Sequence, residues 1–126
     1  MENFSKVAYK GKEIYYFDYS SFGFDKEKTL NLLRSIPEIY KQQQTPPKSV
    51  LALTNISGLH FDSDVINAFN EERPKTAPYE KKVAVIGMKG LQKVAYNFIV
   101  SLTQRNLVKA FDSESDAKEW LVSEDN

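Results

Sequence analysis

The side chains with the greatest chemical potential lie together in one short segment. Ser57, His60 and Asp62 fall within six positions and supply the residue types of a hydrolase triad. A triad is defined by geometry, and three residues this close in sequence rarely converge on one attacking oxygen. We therefore predict no catalytic residue here and expect a protein that is not an enzyme, with a hydrolase as the last of the functions considered.

His60 also raises the question of a metal site. It is the only histidine, and an imidazole exchanges protons near neutral pH. Metal sites usually combine several imidazole, thiolate or carboxylate ligands, whereas the sequence neighbours here are Asp62 and Asp64 and the chain has no cysteine. The sequence predicts no metal and no cofactor.

The segment Gly87-Met88-Lys89-Gly90 has features of a phosphate cradle. Two glycines free the backbone, the following helix offers its amino terminus, and Lys89 adds a positive charge. The segment matches neither GxGxxG nor GK[ST], so the dinucleotide and P-loop fingerprints fail. The alternative interpretation is that the glycines let a strand turn tightly into a helix.

Aromatic residues form a further group of candidates. Phe22 and Phe24 flank Gly23 in a polar connector, where large rings have no periodic role. They either cap the core or line a pocket or partner surface. Trp120 is predicted to anchor the last helix on the sheet.

Strand and helix patterns alternate along the chain and predict the order ββαβαβαβα. Strands are expected at 4–9, 13–19, 49–54, 82–88 and 107–111. Because parallel strands need a long connection that a helix supplies, this order predicts an α/β fold with a largely parallel sheet flanked by four helices.

The helices carry their own signals. Asp25 and Ser113 are suited to capping the first and last helices, and the second should begin at about residue 62 or 63. Pro37 predicts a kink or early end in the first helix, and Pro74 the end of the second. The third helix should run from Gly90 to Asn106. Its predicted sheet-facing stripe is Leu91, Val94, Ala95, Phe98 and Leu102.

Composition limits the classes of partner. Seventeen basic side chains balance seventeen acidic ones, so no overall field attracts nucleic acid. The 126 residues are near the commonest domain size, and we expect a single domain over 1–126. The segment MENFSKVAYKGKE lacks the apolar region of a signal peptide, and no window is apolar enough to span a bilayer, so a cytoplasmic location is expected.

Several segments of the carboxyl half resemble a known family in their order and spacing. They are Pro78-Tyr79, KKVAVIGMKGLQKVAYN, Thr103-Gln104-Arg105 and KAFDSESDAKEWL. Over roughly residues 48–122 the chain resembles the bacterial STAS/SEC14-like (SpoIIAA-like) domain family. The resemblance implies a sheet of four or five strands flanked by helices, kinship with anti-sigma-factor antagonists and with the lipid-binding SEC14 fold, and no catalysis.

The same resemblance singles out Ser57. In sigma-factor antagonists of the STAS type, a strand ends in an Asp-Ser-Ser-Gly-Leu turn whose serine, at a helix amino terminus, is phosphorylated by a partner kinase. The segment Asn55-Ile56-Ser57-Gly58-Leu59 resembles that turn and implies Ser57 as the phosphoacceptor, although Asn55 replaces the acidic residue. A phosphoryl group is best tolerated where free helical N–H groups point at it. The alternative is a turn serine bonded to its own backbone.

Three turns are expected to meet at one edge of the sheet. Ligands of open α/β sheets bind beyond the carboxyl ends of the strands, where 20–24, 55–61 and 87–90 should converge. We predict a shallow binding surface there, which suits a protein partner or a small apolar ligand. Its expected members are Phe22, Phe24, Asn55, Ser57, His60, Phe61 and Lys89.

The leading functional hypothesis is a non-enzymatic STAS-like regulatory or protein-interaction module. The alternative is a SEC14-like carrier or sensor of a lipid or other apolar small molecule. An apolar cavity would favour the carrier, and a filled core would favour the interaction module. A homodimer is a candidate assembly because twofold dimers are the commonest oligomers.

Overall fold

The computed structural model describes residues 3–103 and 107–123. These residues form five strands and four helices in the predicted order ββαβαβαβα, with one 3₁₀ turn at Ala77–Tyr79. The elements are β1 (Phe4–Tyr9), β2 (Lys12–Asp18), α1 (Lys26–Gln42), β3 (Val50–Asn55), α2 (Ser63–Thr76), β4 (Glu80–Ile86), α3 (Lys93–Thr103), β5 (Val108–Phe111) and α4 (Glu114–Val122).

The five strands form one mixed, largely parallel sheet in the order β1-β2-β3-β4-β5. β1 and β2 are an antiparallel hairpin, and β2 to β5 are parallel neighbours. In the last row of the parallel ladder, Asp18 lies beside Asn55, Asn55 beside Ile86, and Ile86 beside Phe111. The segments that follow these strands therefore begin at the same edge of the sheet, and the predicted α/β class is confirmed.

Both faces of the sheet are covered, but unequally. Alternate side chains of the strands point to opposite faces, so Val83 and Val85 join one core while Ala84 and Ile86 join the other. The larger core packs against α1, α2 and α3, and the smaller one against α4. Coverage of both faces explains the continuous apolar runs at residues 50–53 of β3 and 83–86 of β4.

Side-chain caps set the start of three helices. Asp25, Asp62 and Ser113 each accept a hydrogen bond from the backbone N–H three residues further on, at 3.1, 2.9 and 3.1 Å. These bonds satisfy N–H groups that have no partner within the helix. The predicted caps at Asp25 and Ser113 are confirmed, as is the predicted start of the second helix.

The predicted end of α2 at Pro74 is wrong, and of the two effects predicted for Pro37, a kink or an early end, the early end does not occur. α1 continues past Pro37 to Gln42, and α2 continues past Pro74 to Thr76. A proline inside a helix costs about 3 kcal/mol, but burial of a large apolar side chain returns about 1.5–3 kcal/mol. Ile39 and Tyr40, which follow Pro37, are buried in the main core. Tertiary packing thus offsets the lost hydrogen bond in α1.

The segment between β4 and α3 also differs from prediction. β4 spans Glu80–Ile86 rather than 82–88, and α3 begins at Lys93 rather than Gly90. The buried stripe of α3 is Ala95, Ile99 and Leu102. Val94 is 61% exposed, so its predicted place on the stripe is wrong. The predicted end of this helix at Asn106 lies outside the described residues.

Candidate functional site

The three predicted turns meet at the carboxyl edge of the sheet. The His60 backbone N–H donates to the Gly23 carbonyl at 2.9 Å, which joins the first turn to the second. Gly87 is so close to Ser57 that a β-carbon on it would lie 2.3 Å from Ser57 Oγ, which joins the second turn to the third. We call the surface formed by residues 20–24, 55–61 and 87–90 the rim surface.

Phe24 is the most prominent side chain of the rim surface. Its ring is 81% exposed and stacks on the His60 imidazole, with the ring centroids 4.4 Å apart and an interplanar angle of 25°. Stacking holds the phenyl ring in place without burying it. The two rings border a hollow of about 160 Å³ that is also lined by Phe61, Lys89 and the first turn of α3.

The predicted site residues separate into two groups. Phe24, His60, Phe61 and Lys89 line the hollow, whereas Phe22, Asn55 and Ser57 do not. Phe22 packs against the main core, with its ring edge-on to Tyr19. Phe61 is itself a core residue, since it is buried and stacks on Phe69.

Asn55 and Ser57 belong to a tight turn. The Asn55 side-chain carbonyl accepts a hydrogen bond from the Ser57 backbone N–H at 3.0 Å, and its amide donates to the Tyr16 hydroxyl at 3.1 Å. Residues 56–59 form a β-turn with a closing hydrogen bond of 3.0 Å, and Gly58 has the positive φ of 70° that its third position requires. Asn55 thus organises the turn that presents Ser57.

Ser57 is exposed but does not lie at a helix amino terminus. α2 begins only at Ser63, and the Asp62 carboxylate already caps it. The free N–H groups that would stabilise a phosphoserine in the family turn are therefore not supplied to Ser57 by α2.

The Asp62 carboxylate is engaged in structural contacts. One oxygen caps α2 and the other lies 2.7 Å from Lys26 Nζ. The hydrogen bond from Lys26, followed by that from the Val65 N–H, lowers the pKa of Asp62 below its usual value. Among the hydrogen bonds of the described residues, none links Ser57, His60 and Asp62 into a catalytic relay.

A second feature, which no sequence prediction included, is a cavity of about 70 Å³ in the main core. It lies between the sheet and the helices α1, α2 and α3. Most of its lining is apolar and comes from residues that any core would contain, such as Ile36, Val85 and Ile99. No sequence pattern signals a gap between such residues, because the gap depends on how distant side chains fit together.

Charged and hydroxyl groups form one polar part of this lining. Glu80, at the start of β4, is 5% exposed and forms an ion pair with Arg73 near the end of α2. The Tyr40 hydroxyl donates to the same carboxylate at 2.7 Å. Arg73 Nη1 also donates to Thr76 Oγ1 at 3.3 Å. The buried carboxylate thus has a charged partner and a hydroxyl donor, as a buried ion pair requires.

Two polar atoms at the cavity have no hydrogen-bond partner among the described residues. They are the Tyr19 hydroxyl oxygen and Arg73 Nε. Tyr19 is fully buried. Burial, and to a lesser extent the charge of Glu80, raises the pKa of the Tyr19 hydroxyl well above its usual value, so the group remains a donor. Unpaired buried polar atoms are rare in proteins and indicate strain or a missing partner.

None of the helices in residues 3–103 and 107–123 combines the length and the apolar character that a bilayer-spanning segment needs. The same residues contain no group of three or more histidine, aspartate or glutamate side chains arranged to hold a metal ion.

Comparison with known proteins supports the fold. No family model matches the chain, and no curated protein is significantly similar to it. A solved structure with the same fold is an uncharacterized protein of the DUF3478 family, with a SpoIIAA-like fold, from Shewanella loihica PV-4. The two chains superimpose with a TM-score of 0.60 over 94% of this chain and 91% of the other, at 21% sequence identity.

The chain therefore has a SpoIIAA-like α/β fold, and the resemblance noted in the sequence is confirmed at the level of the fold. At this sequence identity the similarity carries no ligand, partner or reaction from one protein to the other.

Proposed function

We propose that this domain is a non-enzymatic regulatory or protein-interaction module, located in the cytoplasm, that contacts a protein partner through the rim surface. The observation that supports this most directly is Phe24, a large ring that is 81% exposed and held in one orientation on His60. Aromatic side chains dominate binding energy at protein interfaces, and a ring already held in place loses little entropy on binding.

The polar groups of the rim surface suit binding better than catalysis. His60, Lys89 and Gln92 line the hollow, but none of the described hydrogen bonds pairs a nucleophile with a base there. Positive charge from Lys89 at the border of an apolar ring favours a partner segment with an acidic or amide group beside an apolar one.

The experiment is affinity purification from the source organism with tagged wild type, Phe24→Ala and Tyr96→Ala. Tyr96 is 50% exposed on α3 but does not line the hollow, so it is a matched aromatic control. Loss of a hot-spot aromatic costs about 2 kcal/mol or more. We expect Phe24→Ala to recover at least about tenfold less of a specific partner, while Tyr96→Ala matches wild type. Equal recovery with Phe24→Ala would contradict the proposal.

We propose that regulation acts through Ser57, which is exposed beside Gly87 on the rim surface. Phosphorylation would add about two negative charges to that surface. Intact-mass measurement of protein purified from its own host tests this directly. A species heavier by roughly 80 Da that disappears in Ser57→Ala supports the switch, and its absence from wild type argues against it.

The core cavity supports a second candidate, a sensor or carrier of a small apolar molecule. Its volume of about 70 Å³ is well below the roughly 300–1,000 Å³ of pockets that enclose drug-sized ligands. A lipid would fit only if the helices moved away from the sheet, whereas a much smaller molecule fits without such movement. Native mass spectrometry of freshly purified protein distinguishes the cases, because a retained lipid gives a discrete mass increase.

A further inference from the structure

The cavity has a polar end with unused hydrogen-bond donors. Tyr19 and Tyr40 are both buried in the main core near Glu80, and Tyr19 also lines the cavity. Tyr40 donates to Glu80 at 2.7 Å, whereas the Tyr19 hydroxyl has no partner among the described residues. Both carboxylate oxygens of Glu80 are engaged, one by Tyr40 and one by Arg73. No hydrogen bond joins the Tyr19 hydroxyl to either oxygen, so Glu80 does not explain the burial of this group.

Arg73 presents a second unused donor at the same cavity. Its Nη1 donates to Glu80 and Thr76, but its Nε–H has no partner among the described residues. Each buried donor without an acceptor costs about 1–3 kcal/mol. The groups missing at this site are acceptors, which points to a ligand that carries a hydrogen-bond acceptor oxygen.

The charges around the cavity are already balanced. Arg73 pairs with Glu80, and Glu72 pairs with Lys75 at 3.0 Å. An ion entering this space would be buried without a countercharge, which is costly. The ligand is therefore neutral, with an apolar body that contacts aliphatic residues such as Ile36 and Ile99.

The volume limits the size of the ligand. A cavity of roughly 150 Å³ admits benzene, and a water molecule needs about 10–15 Å³ of the same measure. The 70 Å³ available here suits about three non-hydrogen atoms on the benzene scale and about five on the water scale. We propose that the core cavity binds a small neutral molecule with an apolar body and one acceptor oxygen, recognised by the Tyr19 hydroxyl and the Arg73 Nε–H. This inference deepens the second candidate function and is independent of the rim surface.

The test uses two probes of the same size and shape. Butanone carries a carbonyl acceptor, and in the matched alkene a methylene group replaces the carbonyl oxygen. Each is titrated into protein with ¹³C-labelled isoleucine methyl groups and followed by NMR. We expect saturable shifts at Ile36 and Ile99, which line the cavity, and tighter binding of the ketone than of the alkene.

Two variants separate recognition from simple filling of space. Tyr19→Phe keeps the ring and removes the donor, and should lower the preference for the ketone over the alkene by about tenfold. Val83→Ile adds a methylene group to the lining and should weaken binding of both probes without changing their ratio. Tighter binding of the alkene by wild type, an unchanged preference in Tyr19→Phe, or non-saturable shifts would each overturn the proposal. Phe24→Ala should leave both affinities unchanged, so failure here is distinct from failure of the rim surface.

Discussion

At the scale of single residues, Tyr19 and Tyr40 are two tyrosines of one core whose hydroxyl groups differ in hydrogen bonding. Both hydroxyls are buried, but only that of Tyr40 has an acceptor, the Glu80 carboxylate. The sequence distinguishes neither residue from an ordinary core tyrosine. The difference is that the Tyr40 ring, carried by α1, reaches the Glu80 carboxylate at 2.7 Å, whereas no hydrogen bond joins the Tyr19 hydroxyl to a described residue.

This contrast predicts opposite effects of two matched substitutions on stability. Tyr19→Phe removes a buried hydroxyl that has no partner, so the free energy of unfolding should stay the same or rise by up to about 1 kcal/mol. Tyr40→Phe removes a hydrogen-bond donor from a buried carboxylate and should lower the free energy of unfolding by about 1–3 kcal/mol. Urea unfolding followed by circular dichroism measures both. A destabilised Tyr19→Phe would show that its hydroxyl has a partner in solution.

At the scale of elements, the caps and turns decide where each helix starts and how closely the rim turns approach. Gly87 is the clearest case. Its φ of 93° is unfavourable for other residues, and a β-carbon would lie 2.4 Å from the Ser57 backbone nitrogen. A tight turn from strand to helix was one interpretation of this glycine, but residues 87–92 separate β4 from α3, and Gly87 instead packs directly on Ser57.

Gly87→Ala should therefore destabilise the domain more than Gly58→Ala. Gly58 has a comparable φ of 70°, but a β-carbon there meets nothing within 4 Å. The left-handed conformation alone costs about 1–2 kcal/mol for alanine, and Gly87→Ala adds a backbone clash to this. Unfolding midpoints in urea give the comparison. Equal losses of stability in the two variants would mean that the rim turns are further apart in solution.

The cap of α2 carries a pH dependence. The hydrogen bond from Lys26 lowers the pKa of Asp62 below its usual 3.8, so folding is stabilised when this carboxylate is charged. That contribution is fully present above about pH 3.8 and is lost as the pH falls through the lower folded-state pKa. Asp62→Asn keeps a capping side chain, and should flatten the fall in stability below pH 3.8. Thermal unfolding of wild type and Asp62→Asn between neutral and acidic pH measures how steeply stability falls with pH. The same fall in both proteins would contradict this prediction.

At the scale of the whole molecule, the two faces of the sheet are held in different ways. Three helices cover the main core, but α4 is the helix that packs on the second core. Lys82, which is only 6% exposed, ties α4 to the sheet. Its ammonium donates to the Trp120 and Ser123 carbonyls at 2.9 and 3.1 Å, and lies 5.2 Å from the Trp120 ring centroid.

Lys82→Met should loosen α4 specifically. Methionine fills similar space but leaves the carbonyls at the end of α4 without this donor. It also removes a positive charge that interacts favourably with the negative end of the helix dipole. Amide hydrogen exchange should become faster in α4 and stay near wild type in α1. A uniform increase in both helices would instead indicate global destabilisation.

The local sequence pattern was enough to predict the order of elements, the largely parallel sheet and the meeting of three turns at one edge. It also predicted the caps at Asp25 and Ser113. These follow from hydrophobic period, capping chemistry and the direction of parallel strands, all of which are written in neighbouring residues.

Only the tertiary structure decided the rest. α1 continues through Pro37 because Ile39 and Tyr40 are buried against other elements. The buried stripe of α3 excludes Val94, although Val94 lies within the helix, because packing against the main core fixes which apolar side chains face inward. The cavity and the unpaired Tyr19 hydroxyl depend on how side chains from α1, α2, α3 and the sheet fit together. Such fit is a property of distant residues in contact, and no local pattern encodes it.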